Sequence, residues 1–283
     1  LDQGRALLAL NDRLGVVRGL RRTTRCVFRD APGESARKAA HDGYAFAREA
    51  RRLLDQPTEP LADLGVLLEE RFEIAVLVVS LGPKLTAVTV RDDTDAAAIV
   101  LTADDPDRAK NPQLARVCLA HELCHILHDP SDGGLHLAID TAMEDESPPH
   151  GRNEQRAGAF AAELLLPSLG LRELLGEPDN TSSLSTGREL VSRARIHFGS
   201  PWQIAAHHLH NHGYLAESTR DQLLVPGAQA ATTGEVTTRL PAPDAVSVAL
   251  LDRVTRAHQQ GAITDGQARE ALKLGLDTRL PWE

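Results

Sequence analysis

Ala36, Ala39, Ala40, Ala47, Ala50 and Leu54 recur at helical spacing between polar positions. That period predicts an amphipathic helix over residues 34–54. Residues 1–29 carry a similar leucine- and arginine-rich helical texture, broken at Ala31-Pro32-Gly33. Pro57 and Pro60 stop the second helix, and Leu61 to Arg71 predicts a short third one built on Leu64, Leu67 and Leu68. From Phe72 the period changes. Ile74 to Val79 is a continuous apolar run, Leu85 to Val90 alternates with period two, and Gly82-Pro83 supplies a turn between them. Ala96 to Thr102 is a third strand-like run.

A helix follows with a clear start, Asn111 as N-cap and Pro112 at the first helical position, where its missing N–H costs nothing. Asp129-Pro130 stops it, and residues 131–150 read as a polar loop with an acidic group at Glu144, Asp145 and Glu146. The next helix runs from Asn153 to Leu166 and ends at Pro167. Further helices are expected near 169–175 and 187–197. Ser200 (N-cap) and Pro201 then open a last one, which ends by Gly213. Residues 221–243 are linker-like, and Asp244 to Gln260 with Asp265 to Leu274 predict a helix pair. The fold class is α+β, with a small three-stranded, antiparallel-type sheet packed on helices and mostly helical flanks. Four segments are expected: a basic helical arm (1–33), a main domain (34–218), a linker (219–243) and a C-terminal helical element (244–283).

The chemistry lies in the central helix, at His121-Glu122-Leu123-Cys124-His125. Residues four apart on a helix sit about 40° apart in azimuth, so both imidazoles can share one metal ion. Glu122, on an adjoining face, is placed to act as general base on water, which zinc acidifies to a pKa of about 7. A catalytic zinc needs a third protein ligand. Glu154 and Glu163 are the candidates. Ala157, Gly158 and Ala161 lie within about 60° of Glu154, whereas Glu163 falls about 180° away. A stripe of small residues lets two helices approach closely, so Glu154 is taken as the ligand and Glu163 as a surface residue. Four histidines within 207–212 suggest a metal, but only His208 and His212 have the helical spacing, and they straddle the expected helix end. A helix terminus is the simpler reading.

Composition and charge narrow the class. The 283 residues are 42% hydrophobic and 25% charged, and contain no apolar run of about 18 residues, so no membrane span is expected. The net charge is −9, yet residues 1–54 hold 12 Arg and Lys against 6 Asp and Glu. The acidic bulk argues against direct nucleic-acid binding, and the basic arm reads as a solvated helical face. Cys26, Cys118 and Cys124 show no framework spacing, and the arginine-studded start has no secretory pattern. The expected location is therefore cytoplasmic.

The two motifs, His121-Glu122-Leu123-Cys124-His125 and Glu154-x-x-Ala157-x-x-Phe160-Ala161-Ala162-x-Leu164-Leu165-x-Pro167, resemble the ImmA/IrrE family of metallopeptidases over roughly residues 40–215. The resemblance implies a zincin-like fold, one catalytic Zn2+ on His121, His125 and Glu154, and Glu122 as general base. It further implies cleavage of a protein partner, typically a helix-turn-helix repressor of a mobile element or stress regulon. The alternative is a non-hydrolytic regulator that uses the same scaffold to bind protein or DNA. The chain departs from the family pattern at Cys124, where Gly is common. It has Asp129 at a position often taken by His, with His128 just before it, and residues 1–54 show no helix-turn-helix domain.

Overall fold

The computed structural model describes residues 5–6, 9–10, 36–80, 85–91, 96–104, 112–129, 136–141, 151–226, 240 and 246–283. Its first long helix, α1 (Ala36–Leu53), buries Ala39, Ala47 and Ala50, and the chain turns at buried Leu54. Arg51 is buried too, because its guanidinium satisfies three carbonyl oxygens, those of Leu164, Gln56 and Glu59. A buried cation without such acceptors would be strongly unfavourable. Asp63 caps α2 (Leu64–Arg71) by accepting from the Val66 amide.

Four strands follow: β1 (Ile74–Val79), β2 (Leu85–Arg91), β3 (Ala97–Thr102) and β4 (His136–Thr141). They form one sheet in the order β1-β3-β2-β4. β3 pairs parallel to β1, with Ile74 opposite Ala97, and antiparallel to β2. β2 is antiparallel to β4, with Thr89 opposite Ala138. The sheet is therefore mixed and four-stranded, where three antiparallel strands were expected. The expected turn at Gly82-Pro83 lies outside the described residues, and β3 lies between β1 and β2 in the sheet. β1 and β3 are apolar on both faces and almost wholly buried, the pattern of parallel neighbours, whereas β2 alternates. β4 falls within the segment read as an acidic loop, whose polarity masked the run Leu137-Ala138-Ile139.

Against the sheet lies α3 (Pro112–His128), and α4 (Arg152–Leu165) packs between α3 and α1. Ala157 and Ala161 are buried, as the small-residue stripe predicts, but Gly158 is exposed. The closest helix approach lies instead between α4 and α1. A Cβ on Gly43 would stand 2.3 Å from the Arg156 carbonyl oxygen. α5 (Ser168–Leu175), α6 (Leu184–Phe198), α7 (Trp202–Asn211) and α8 (Glu217–Leu224) complete the main core, which runs from Ala47 to Leu223. α7 starts one residue later than expected. Pro201 takes the cap position, and Ser200 donates its hydroxyl to the Pro201 carbonyl instead of capping. α8 occupies residues assigned to the linker, while 227–239 and 241–245 lie outside the described residues.

The predicted C-terminal pair is present as α9 (Val248–Gln259) and α10 (Asp265–Leu272), capped by Ser247 and by a Thr264–Gln267 capping box. Leu250, Val254, Ala257, Ile263, Ala268, Leu272 and Leu280 form a second apolar cluster that also includes Leu10. The described part of the N-terminal arm is thus packed with the C-terminal helices. Cys26, Asn111 and the group Glu144, Asp145 and Glu146 lie outside the described residues. No helix among the described residues is long and apolar enough to cross a membrane.

Candidate metal centre

Residues 87, 89 and 91 of β2 share the buried face of the strand, turned toward α3. Arg91 uses that position to donate to the carbonyls of Ile126 and Asp129, satisfying the end of α3. Thr89 uses it to donate its hydroxyl to Oε2 of buried Glu122. The strand therefore fixes both the helix position and the orientation of the carboxylate that follows the first histidine.

His121 and His125 face the start of α4. Their Nε2 atoms stand 3.0 Å apart, and Glu154 places one oxygen 3.0 Å from His121 Nε2 and the other 3.4 Å from His125 Nε2. The three side chains predicted as ligands are thus brought together, with their donor atoms within 4.8 Å of one another. Glu154 is the open member, its side chain 38% exposed, while His125 is buried.

Behind the histidines lies a layer the sequence reading missed. His125 turns Nδ1 toward Asp129 Oδ2 at 2.7 Å, and Arg156 donates to Asp129 Oδ1 at 2.6 Å and to Asn153 at 2.9 Å. The sequence marks Asp129 as a helix stop and as a departure from the family's usual His, not as a partner of His125. Its position four residues after His125, one further helical turn, was the available signal. Burial works against a charge on His125, but its hydrogen bonds to Asp129 and Glu154 outweigh this and lift its pKa to about 10. The bonds from both histidines hold the Glu154 carboxyl well below the usual carboxylate range.

Two imidazole nitrogens and a carboxylate, one imidazole backed by a second carboxylate, form a donor set suited to a divalent transition cation. His128, next to these groups, is the last residue of α3. It is buried, stacked on Phe46 at 4.0 Å, with Phe160 at its edge. Cys124 is buried in the core and Cys118 is half-buried.

Residues 70–210 match the family model described as the IrrE N-terminal-like domain, which spans the strands, α3 and α4. The chain belongs to the ImmA/IrrE metallopeptidase family. Among curated proteins, none matches the chain. Membership in this peptidase family makes the α+β architecture a zincin-like domain. The His121, His125 and Glu154 cluster lies within the matched residues.

Two expectations outside this centre need revision. Glu163 is not a surface residue: its side chain is 0% exposed. His208 and His212 are not merely a helix end, because Glu163 reaches both of them, Oε2 lying 3.4 Å from one Nε2 and 3.2 Å from the other. The helical wheel correctly set Glu163 opposite Glu154, but that face is covered by α1 and α7 rather than by solvent.

Proposed function

We propose that the chain is a cytoplasmic, zinc-dependent endopeptidase that cleaves a protein partner, in the first instance a helix-turn-helix repressor of a mobile element or stress regulon. One observation carries the proposal: the donor atoms of His121, His125 and Glu154 converge beside a buried glutamate held by a strand hydroxyl. In this reading His121, His125 and Glu154 hold the cation, which when bound supplies positive charge that polarises a carbonyl and acidifies water. Glu122 takes a proton from the attacking water and delivers it to the leaving amide nitrogen. The Thr89 hydroxyl keeps the Glu122 carboxylate aimed during both transfers. Asp129, fixed by Arg156, holds the His125 ring so that Nε2 faces Glu154.

The sheet supports a protein substrate. Among the described residues β4 ends the strand order, and its Ala138 is paired with Thr89, the residue that holds Glu122. An extended peptide adding to the outer edge of β4 would run one strand away from the general base.

Glu122→Gln preserves size and removes the base. It is expected to retain zinc and the far-UV circular dichroism spectrum while lowering cleavage of a co-encoded repressor by about 10²–10⁴-fold. Cleavage at the wild-type rate by the zinc-loaded variant would refute the assignment of Glu122.

A further inference from the structure

α4 carries a second carboxylate, Glu163, nine residues after Glu154 and on the opposite face, where it meets His208 and His212 of α7 and its cap. These two histidines have the same i, i+4 spacing as His121 and His125, and the three donor atoms again lie within 4.8 Å of one another. The geometry points to a second metal site, a His208–His212–Glu163 centre for a divalent transition cation such as Zn2+ or Co2+.

Three features carry it. The first is spacing: donors each about 2.0–2.1 Å from a tetrahedral ion lie about 3.3–3.4 Å from one another. Glu163 Oε2 stands 3.4 Å from His208 Nε2 and 3.2 Å from His212 Nε2. The second is alignment. Although they are this close, Glu163 Oε2 and His212 Nε2 are buried and make no well-aligned hydrogen bond with each other. The third is support. The other oxygen, Oε1, accepts from the Ser168 amide and hydroxyl and faces Arg48 at 3.6 Å, which directs Oε2 at the histidines. Tyr44, fixed by the Asn211 amide, stands against both imidazole rings.

Glu163 also lines a cavity of about 350 Å³ between α1 and the start of α5, bordered by Arg48, Arg52, Pro57 and Leu169. The rival arrangement is metal-free, with His208 donating Nε2–H to the Leu166 carbonyl at 2.9 Å and paired with the Glu163 carboxylate. A proton and a metal on Nε2 exclude each other, so titration separates the two.

The experiment titrates the metal-free full chain with Co2+, followed by visible absorption and by elemental analysis after desalting. Two equivalents per chain are expected for the wild type and one for His121→Ala/His125→Ala. Adding Glu163→Gln, or independently the half-buried His212→Ala, to that double variant is expected to reduce one equivalent to none. The circular dichroism spectrum checks folding of each variant. Zn2+ should raise Tm of the double variant and leave that of the triple variants unchanged. A folded double variant that binds no Co2+, or one whose equivalent survives both added substitutions, overturns the second site and leaves the first untouched. A wild type that binds a single equivalent, retained in full by His121→Ala/His125→Ala, would instead count against the first centre.

Discussion

Helix α4 offers one carboxylate to each of two histidine pairs, and the two clusters share a donor set but not a setting. At the first, Glu154 is 38% and His121 17% exposed, and β2 supplies Thr89 to hold Glu122. At the second, Glu163 and His208 are 0% exposed, and the residue after the first histidine is Leu209, itself in the core. His121-Glu122-x-x-His125 thus contrasts with His208-Leu209-x-x-His212. One pair has a base beside it and an exposed carboxylate, while the other has no such base and a buried carboxylate, its one partly exposed member being His212 at 20%. Two histidines and a glutamate are enough to hold a cation, and the neighbouring residue and the openness decide whether it can do chemistry.

The sharpest way to separate the clusters is Asp129→Asn. Asp129 supports only the first, through His125, and is the partner of buried Arg156. Removing one member of a buried ion pair costs about 3–5 kcal/mol. Loss of a carboxylate behind a metal-bound histidine typically weakens metal affinity about 10–100-fold. Chemical denaturation should show the first effect and Co2+ titration the second, confined to the equivalent lost in His121→Ala/His125→Ala. Equal weakening of both equivalents would mean that the two clusters are not independent.

Gly43→Ala acts on what they share. In an open helix this change stabilises by about 1 kcal/mol. Here the new methyl meets the Arg156 carbonyl oxygen at 2.3 Å, so α1 must move away from α4 between the two carboxylates. A destabilisation of about 1–3 kcal/mol is expected instead, measured by thermal unfolding, with both Co2+ equivalents weakened together. A stabilised variant would show that the helices have room to spare.

The contrast also explains how much could be read from the chain. The first cluster was legible because its ligands are local or near-local: a pentapeptide on one helix and a glutamate on the next, on a face marked by small residues. The C-terminal helix pair was legible for the same reason, two local helical runs being separated by the turn from Gly261 to Thr264. Strand order was not. The apolar runs of β1 and β3 signalled burial on both faces, but β2 separates them in sequence and only the tertiary packing brings β3 beside β1. Glu163 was misplaced because a helical wheel gives angles, not neighbours. Only the chain's return, more than forty residues later, as α7 shows that the face opposite Glu154 is an interior.

The smallest expected effect concerns the residue before the second histidine of each pair, Cys124 in one and Asn211 in the other. Asn211 is exposed and its amide is committed to Tyr44. Cys124 lies one residue from a ligand, and a thiolate there would be a competent metal donor. Its surroundings argue otherwise: it is buried among apolar side chains, and that burial pushes its thiol far above the ordinary range. Native treatment with iodoacetamide should therefore leave Cys124 unmodified both before and after EDTA, whereas half-buried Cys118 reacts first. Labelling of Cys124 that begins only when EDTA is added would make the thiolate a fourth ligand of the first centre. That result would close the coordination position on which the catalytic reading of the open cluster depends, and the two histidine pairs would then differ far less than Glu122 and Leu209 imply.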